Sequence, residues 1–439
     1  MQGFGRYRIH IILLIGLVLV IRLAVWYAYV QHPGGFVQPD TVTYLEPGEQ
    51  LLDAGTFQSF ARTPVYPIFL AVVSKAVSSN PALIALVHIA VSLATLALTF
   101  YLTGSIFGAG TGVVVLFFLE GDLTSAISSN QLLADTLFTL LLTASIVALF
   151  EVSGKDTGLV EMAAVGVGFS LVAFCRPIGV FLFVPLAGWL GVTRARSRSR
   201  WLPHVGVFVV GSLLLPLMWV VRNYVHTEQL FFSTPASINL FEYRAAWNTA
   251  RLNGLSLDQV QAVFRQNRDQ VRKENGMNDG EIAGWMGSEA IRILAEHPFL
   301  TFRLGLEGVV KLYLGISNAD INKLAPREAR PARERTPGSL ATVIRNSVGE
   351  LIGTEGAVWI TGVKTWAMFY LALLYLGVLV AIVGLLGGQG ARRRGGRPSG
   401  SGCGVFHAAF RGRRILRQVP RADFSRIMRP CRIGLDDAL

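Results

Sequence analysis

Apolar runs of about twenty residues recur along this 439-residue chain, which is the length an α-helix needs to cross the roughly 30 Å hydrocarbon core of a bilayer. Such runs leave few folds open, because in lipid each backbone N–H and C=O must be satisfied inside its own helix or in a closed barrel. The candidate spans are 9–30, 81–106, 109–120, 132–151, 159–174, 177–193, 203–221 and 360–387, the third and fifth of them short. The first follows Arg6 and Arg8 as a secretory leader would, but it is too long and no small-x-small cleavage site follows it. Trp26, Tyr27 and Tyr29 instead suit a retained helix anchored at the membrane interface. At 52% hydrophobic and 15% charged, the composition is also too apolar for an ordinary soluble globule. The expected fold is therefore all-α, a polytopic transmembrane helical bundle of about eight spans.

The distribution of charge sets the expected orientation. A net charge of +12 could point to nucleic acid, but the Lys and Arg residues cluster between apolar runs and near the C-terminus, a pattern of membrane topology. With Arg6 and Arg8 inside and eight spans counted, Lys155, the Arg194 to Arg200 run and the Arg392-Arg393-Arg394 cluster all fall on the inner side. Counting the apolar stretch 64–79 as a crossing would put all three outside, so it is expected to lie in the outer interface or to be re-entrant. The chain then divides into a core at 1–221 with a first outer loop at 31–80, a small outer domain at 222–358, a last span at 359–388 and a basic tail at 389–439. The outer segment shows apolar residues at helical spacing, and Pro298 marks a break or a new helix start. The Gly-, Arg- and Ser-rich tail has the composition of a disordered or membrane-surface cytoplasmic extension. Cys175, Cys403 and Cys431 show no CxxC spacing and no neighbouring His ladder, which excludes a readable zinc or disulfide framework.

The first outer loop carries the chemistry. Asp40 stands about ten residues beyond the first span, poised at the membrane surface. A carboxylate there can act as a base toward an attacking hydroxyl if desolvation lifts its pKa. The plainer reading is that Asp40 caps a short helix beginning at Thr41.

Asp40, Tyr44, the Leu51-Leu52-x-x-Gly55 stretch and Arg62-x-Pro64-x-Tyr66-Pro67-x-Phe69-Leu70-Ala71 together resemble the first outer loop of the GT-C membrane glycosyltransferases. The similarity is to the bacterial branch related to protein O-mannosyltransferases and to the aminoarabinose transferase of lipid A. LLADTLFTLLL at 132–142, the Arg176-Pro177 pair, Trp219-x-x-Arg222-Asn223 and His297-Pro298 extend it in order over about residues 10–315. The resemblance implies inverting transfer of a sugar from a polyprenyl-phosphate donor to an acceptor on the outer face of the cell membrane, with Asp40 as general base. The relatives commonly continue with further spans, whereas a basic tail follows here.

A polyprenyl phosphate is an anionic head on an apolar tail, so its site should pair an outer cation with a groove between spans. Arg176 and Arg222, at outer span ends, and Arg62, in the loop of Asp40, are the candidates; snorkelling or a helix-end role is the ordinary alternative. Tyr44 and Tyr66 could stack on or hydrogen-bond a sugar, but interfacial tyrosines are common for purely structural reasons, and that is the stronger reading. Glu120 and Asp122 match the metal-holding acid pair of the related oligosaccharyltransferases only weakly, and two carboxylates make a poor cation cage, so no metal or other cofactor is expected. Asp135 reads as the N-cap of the next span and His297 as a packing residue. The expected partners are the lipid-linked donor, membrane lipids and an acceptor that the sequence does not identify. A transporter or flippase of a lipid-linked or anionic solute is the alternative; it would place ionisable groups inside spans, whereas here they read as clustered at outer ends.

Overall fold

The computed structural model describes residues 7–31, 33–120, 122–153, 158–195, 201–314, 369–370 and 376–377. Apart from those last four residues, the expected span at 360–387 lies outside the described residues, as does the basic tail at 389–439. No strand occurs among the described residues, so the all-helical expectation holds for them.

Four helices are long and apolar enough to cross a membrane: α1 (Arg8–Gln31), α4 (Pro81–Phe107), α7 (Asp135–Ser153) and α10 (Trp201–Thr227). Their outward faces are apolar; Ile9, Leu13 and Val20 on α1 and Val210, Leu217 and Val225 on α10 are all exposed. So much contiguous apolar surface is a liability in water and a match to lipid, which makes this a membrane protein. The remaining apolar segments are shorter. Between α4 and α7 lies α5 (Ala109–Glu120), of 12 residues, and beyond α7 come α8 (Leu159–Cys175), of 17, and α9 (Phe183–Ala195), of 13, the last preceded by a 3-10 turn at Pro177–Leu182. At about 1.5 Å per residue, α5 and α9 reach only about two-thirds of the hydrocarbon thickness or less.

The 31–80 segment is a folded helical hairpin. Within it, α2 (Pro39–Ala54) starts at Gln38 and Pro39, and α3 (Val65–Ala76), the stretch that tempted a crossing, has 12 residues, too few for one. The two helices approach so closely at Gly48 that a Cβ there would run into the Pro67 carbonyl. Tyr44, Tyr66 and Leu70 from this hairpin enter the same buried cluster as Val25 and Tyr29 of α1, Ile84 of α4 and Leu137 of α7. Behind it, α8 and α10 cross at Gly166 and Gly211, where a Cβ on Gly166 would stand 2.5 Å from the Phe208 carbonyl oxygen. Small residues let two backbones meet in lipid, where helices gain nothing from hydrophobic burial against each other. Ser170 Oγ uses that approach to donate to the Ser212 carbonyl at 2.9 Å.

Beyond α10 come α11 (Pro235–Ile238), a π-helical turn at Asn239–Ala245, α12 (Ala246–Asn253), α13 (Leu257–Asn275), α14 (Asp279–Glu296) and α15 (Pro298–Leu314). Capping boxes start α13 at Ser256 and α14 at Asn278, and Pro298 opens α15 as its spacing suggested. Phe241, Ala245, Ala283, Met286 and Ala290 form a separate small core for these helices. The buried carboxylate of Glu242 is held by Arg265, at 2.9 Å, and by Arg268.

One ionisable group departs from the expected distribution. Arg22, 1% exposed in the body of α1, donates to Ser92 Oγ of α4 at 3.0 Å and to Ser125 Oγ at 3.3 Å. Ionisable groups are therefore not confined to helix ends.

Candidate functional site

Asp40 occupies the first turn of α2 and is not the N-cap; Gln38 holds that position, and the Gln38 N–H donates to Thr41 Oγ1 at 2.9 Å. The carboxylate is thus free of the backbone and meets Arg62 instead, with Arg62 Nη2 at 3.0 Å from Asp40 Oδ1. The same guanidinium donates through Nε to Thr43 Oγ1 at 3.0 Å and through Nη1 to the Tyr44 hydroxyl at 3.0 Å, and it lies 4.1 Å from the centre of the Tyr44 ring. Such simultaneous contact with a carboxylate, a hydroxyl and an aromatic ring suits a planar guanidinium far better than an ammonium. The Arg62 side chain is 17% exposed and that of Asp40 is 59% exposed, so the cluster opens to the surface through its acid.

Beneath this pair, Tyr44 packs edge-on against Tyr66 at 4.8 Å, and the Tyr66 hydroxyl lies 3.4 Å from His88 Nε2. Burial raises the Tyr44 phenol above its ordinary pKa; Arg62 and Arg176 pull it down and Asp40 pushes it up. Tyr66 is raised well above its ordinary value, chiefly by burial. The influence of Arg176 on Tyr44 brings a second helix end into the neighbourhood.

Arg176 follows the last turn of α8 and pairs with Asp135, the first residue of α7. Asp135 is not the N-cap that its position suggested: the Ala134 carbonyl accepts the first helical bond, from Phe138 N–H, and the carboxylate is spent on Arg176. Two antiparallel helices joined in sequence put the start of one beside the end of the next, and that was the signal available for this pair.

Arg222, at the end of α10, is differently engaged. It donates to the carbonyls of Phe57 and Ser59, to the latter at 3.3 Å, and stands over Phe60 and Trp219 at 4.7 Å from each ring. The next stretch adds Thr234 N–H to the Phe60 carbonyl at 3.2 Å and Ser233 Oγ to the Ala61 carbonyl at 3.4 Å. Residues 57–61 are thereby pinned from one side, and Arg62 projects from the pinned segment toward Asp40.

A further support was missed in the sequence. Residues 129–132 are buried and run under the start of α2, where Thr41 Oγ1 donates to the Leu132 carbonyl at 3.0 Å and Leu132 N–H donates to the Phe36 carbonyl at 2.9 Å. Asn130 Nδ2 ties the same stretch to the Arg22 carbonyl at 3.2 Å. Of the weaker candidates, Asp122 caps α6 (Leu123–Ser128) by accepting from Thr124 N–H at 3.1 Å, and burial raises its pKa. His297 sits between α14 and α15, its carbonyl accepting from Thr301 N–H at 3.0 Å.

No protein-family model matches the chain, and no curated protein matches it.

Proposed function

We propose that this chain is a GT-C type glycosyltransferase that moves a sugar from a polyprenyl-phosphate donor to an acceptor on the outer face of the cell membrane, with inversion. In this reading about eight spans carry the α2–α3 hairpin and the 228–314 helices on the outer side. The observation that carries the reading is the cluster of Asp40, Arg62 and Tyr44 with the Arg176–Asp135 pair beside it. It places a surface-open carboxylate next to guanidinium groups that can take a phosphate, and it does so on a hairpin packed into the ends of membrane-capable helices.

The chemistry follows from those parts. The donor phosphate draws Arg62, and Arg176 with it, away from their carboxylates, leaving Asp40 to accept the proton of the acceptor hydroxyl. The hydroxyl oxygen bonds to the anomeric carbon as the bond from that carbon to the phosphate oxygen breaks. Polyprenyl phosphate departs with the electron pair, its charge balanced by the two guanidinium groups. Tyr44 and Tyr66 support the arrangement from below, and Arg222 contributes by fixing the segment from which Arg62 projects.

The test is donor consumption by the purified, folded protein offered a panel of polyprenyl-phosphate sugars, with and without a chelator. Turnover that disappears in Asp40→Asn supports the proposal; a folded protein that consumes no donor in the panel sinks it. Loss of turnover on chelation would bring Glu120 and Asp122 back as metal ligands.

One observation favours the second reading, transport of an anionic or lipid-linked solute. Arg22 is a buried cation in the body of a membrane-capable helix, the placement expected of a solute or ion pathway. Solute crossing in reconstituted liposomes without donor consumption would establish that reading over the first.

A further inference from the structure

We infer that the helices after α10 hold a separate carbohydrate-binding site, in the cavity between the π-helical turn, α12 and α15. The cavity has a volume of about 320 Å³, at the lower end of the roughly 300–1,000 Å³ typical of ligand pockets. That is room for a short saccharide and too little for a polymer. Its wall includes Tyr243 and Arg244 from the π-helical turn, Trp247 and Asn248 from α12, and Leu304 and Glu307 from α15. A π-helical turn is rare, and here the wider turn carries three of the wall residues, Leu240, Tyr243 and Arg244.

Glu307 is the decisive group. Its side chain is 7% exposed, and Oε1 is shared by Arg303 at 3.2 Å and Arg251 at 3.7 Å. Oε2 is buried and has no hydrogen-bond partner among the described residues. A buried carboxylate oxygen without a donor is costly, by roughly 1–3 kcal/mol or more, and a ligand donor would remove that cost.

The surrounding charge selects the donor. Arg303 and Arg251 on Glu307, with Arg244 beside Gly305 and Gly308, make the site net positive, which disfavours an ammonium ligand. A phosphate would be repelled by the bare Oε2 itself. Glu307 lines the cavity, and a rotation of its carboxylate that turns Oε2 to the cavity surface would let a sugar hydroxyl donate to it while a neighbouring hydroxyl accepts from Arg244; Trp247 and Tyr243 line the same cavity and supply apolar ring surface for the C–H face of a pyranose. The site is independent of the Asp40 reaction and would bind saccharide whether or not that reaction occurs.

The experiment is saturation-transfer NMR on the intact protein in detergent micelles, using methyl α-mannoside, methyl β-glucoside and N-acetylglucosamine as probes, with inorganic phosphate as a competitor. We expect ring-proton saturation for at least one saccharide and no competition by phosphate. Glu307→Gln, nearly isosteric, and Arg244→Ala, at an exposed side chain, should each weaken binding by about tenfold, while Lys75→Gln, at an exposed side chain on α3, binds as wild type. Absence of saturation from every saccharide, displacement by phosphate, or unchanged binding in both folded variants overturns the inference. Retained binding in a protein that transfers no sugar leaves this site standing and removes the transferase reading alone.

Discussion

Replacing Asp40 by Asn should separate stability from turnover, because the structure assigns the carboxylate little of the first. Its side chain is 59% exposed, so its ion pair with Arg62 lies in a strongly screening environment and contributes about 0–1 kcal/mol. Its place in the first turn of α2 adds about 0.3–1 kcal/mol from the helix dipole. The folding cost of Asp40→Asn is therefore about 1–2 kcal/mol at most. Loss of a general base costs about 10²- to 10⁴-fold in rate, which is about 3–5 kcal/mol of barrier. The measurements are the thermal unfolding midpoint in detergent and the initial rate of donor consumption, made on the same preparation. A small shift in midpoint with a rate loss of at least about a hundredfold is the expected result. Turnover within a few-fold of wild type would remove Asp40 as the base. Unfolding in proportion to the lost rate would show that the carboxylate holds the hairpin together and does no chemistry.

Arg62→Lys keeps the positive charge but cannot reach Asp40, Thr43 and Tyr44 together, so donor turnover should fall at least about tenfold, and Arg62→Gln should fall further; equal rates for wild type and Lys would reduce Arg62 to a point charge. At Arg22, Ser92→Ala and Ser125→Ala each remove one acceptor of a buried guanidinium and should each destabilise by about 1–3 kcal/mol; thermal unfolding decides, and an unchanged midpoint in both variants would show these two contacts to be dispensable. Tyr44 and Tyr66 have folded pKa values above the ordinary 10.0, so the folded state keeps both phenols neutral while the unfolded chain ionises. Their contribution to stability is whole below about pH 10 and declines as pH rises beyond it, and Tyr44→Phe with Tyr66→Phe should flatten that decline in an alkaline unfolding series.

The legible part of this fold was whatever depends on local pattern. Apolar runs of span length gave α1, α4, α7 and α10, and the three-to-four spacing after residue 256 gave α13 and α14. The stretch 64–79, expected in the outer interface or as a re-entrant segment, forms the 12-residue helix α3; α5, counted as a crossing, is equally short, and four helices of span length stand among the described residues. The pairing of side chains across elements was not legible. Asp40 and Asp135 were each readable as a helix cap from sequence position alone, yet each carboxylate goes to an arginine, 22 residues away for Asp40 and 41 for Asp135. Arg222 looked like a free cation because nothing local revealed that the carbonyls of Phe57 and Ser59, more than 160 residues earlier, would occupy it. The average apolarity of its run hides Arg22, although a lone arginine inside such a run is itself a signal.

The long-range contacts explain how a short acidic loop could serve a reaction that tolerates little misplacement. An error of about 1 Å at a reacting group can cost about a hundredfold in rate, and an ordinary loop of fifty residues at a membrane surface would not hold a carboxylate to that standard. Here the positions of Asp40 and Arg62 are fixed from opposite sides. Thr41 is tied to Leu132, whose own segment is tied through Asn130 to Arg22 inside α1. The 57–61 stretch is tied to Arg222, near the C-terminal end of α10, and to Ser233 and Thr234, just beyond it. The acid and its arginine therefore sit on separately anchored stretches, and the contacts of Arg62 with Asp40, Thr43 and Tyr44 are made by side chains. An anion that competes for Arg62 can separate the pair without moving either backbone, and that is the property a site needs if phosphate binding is to release a base.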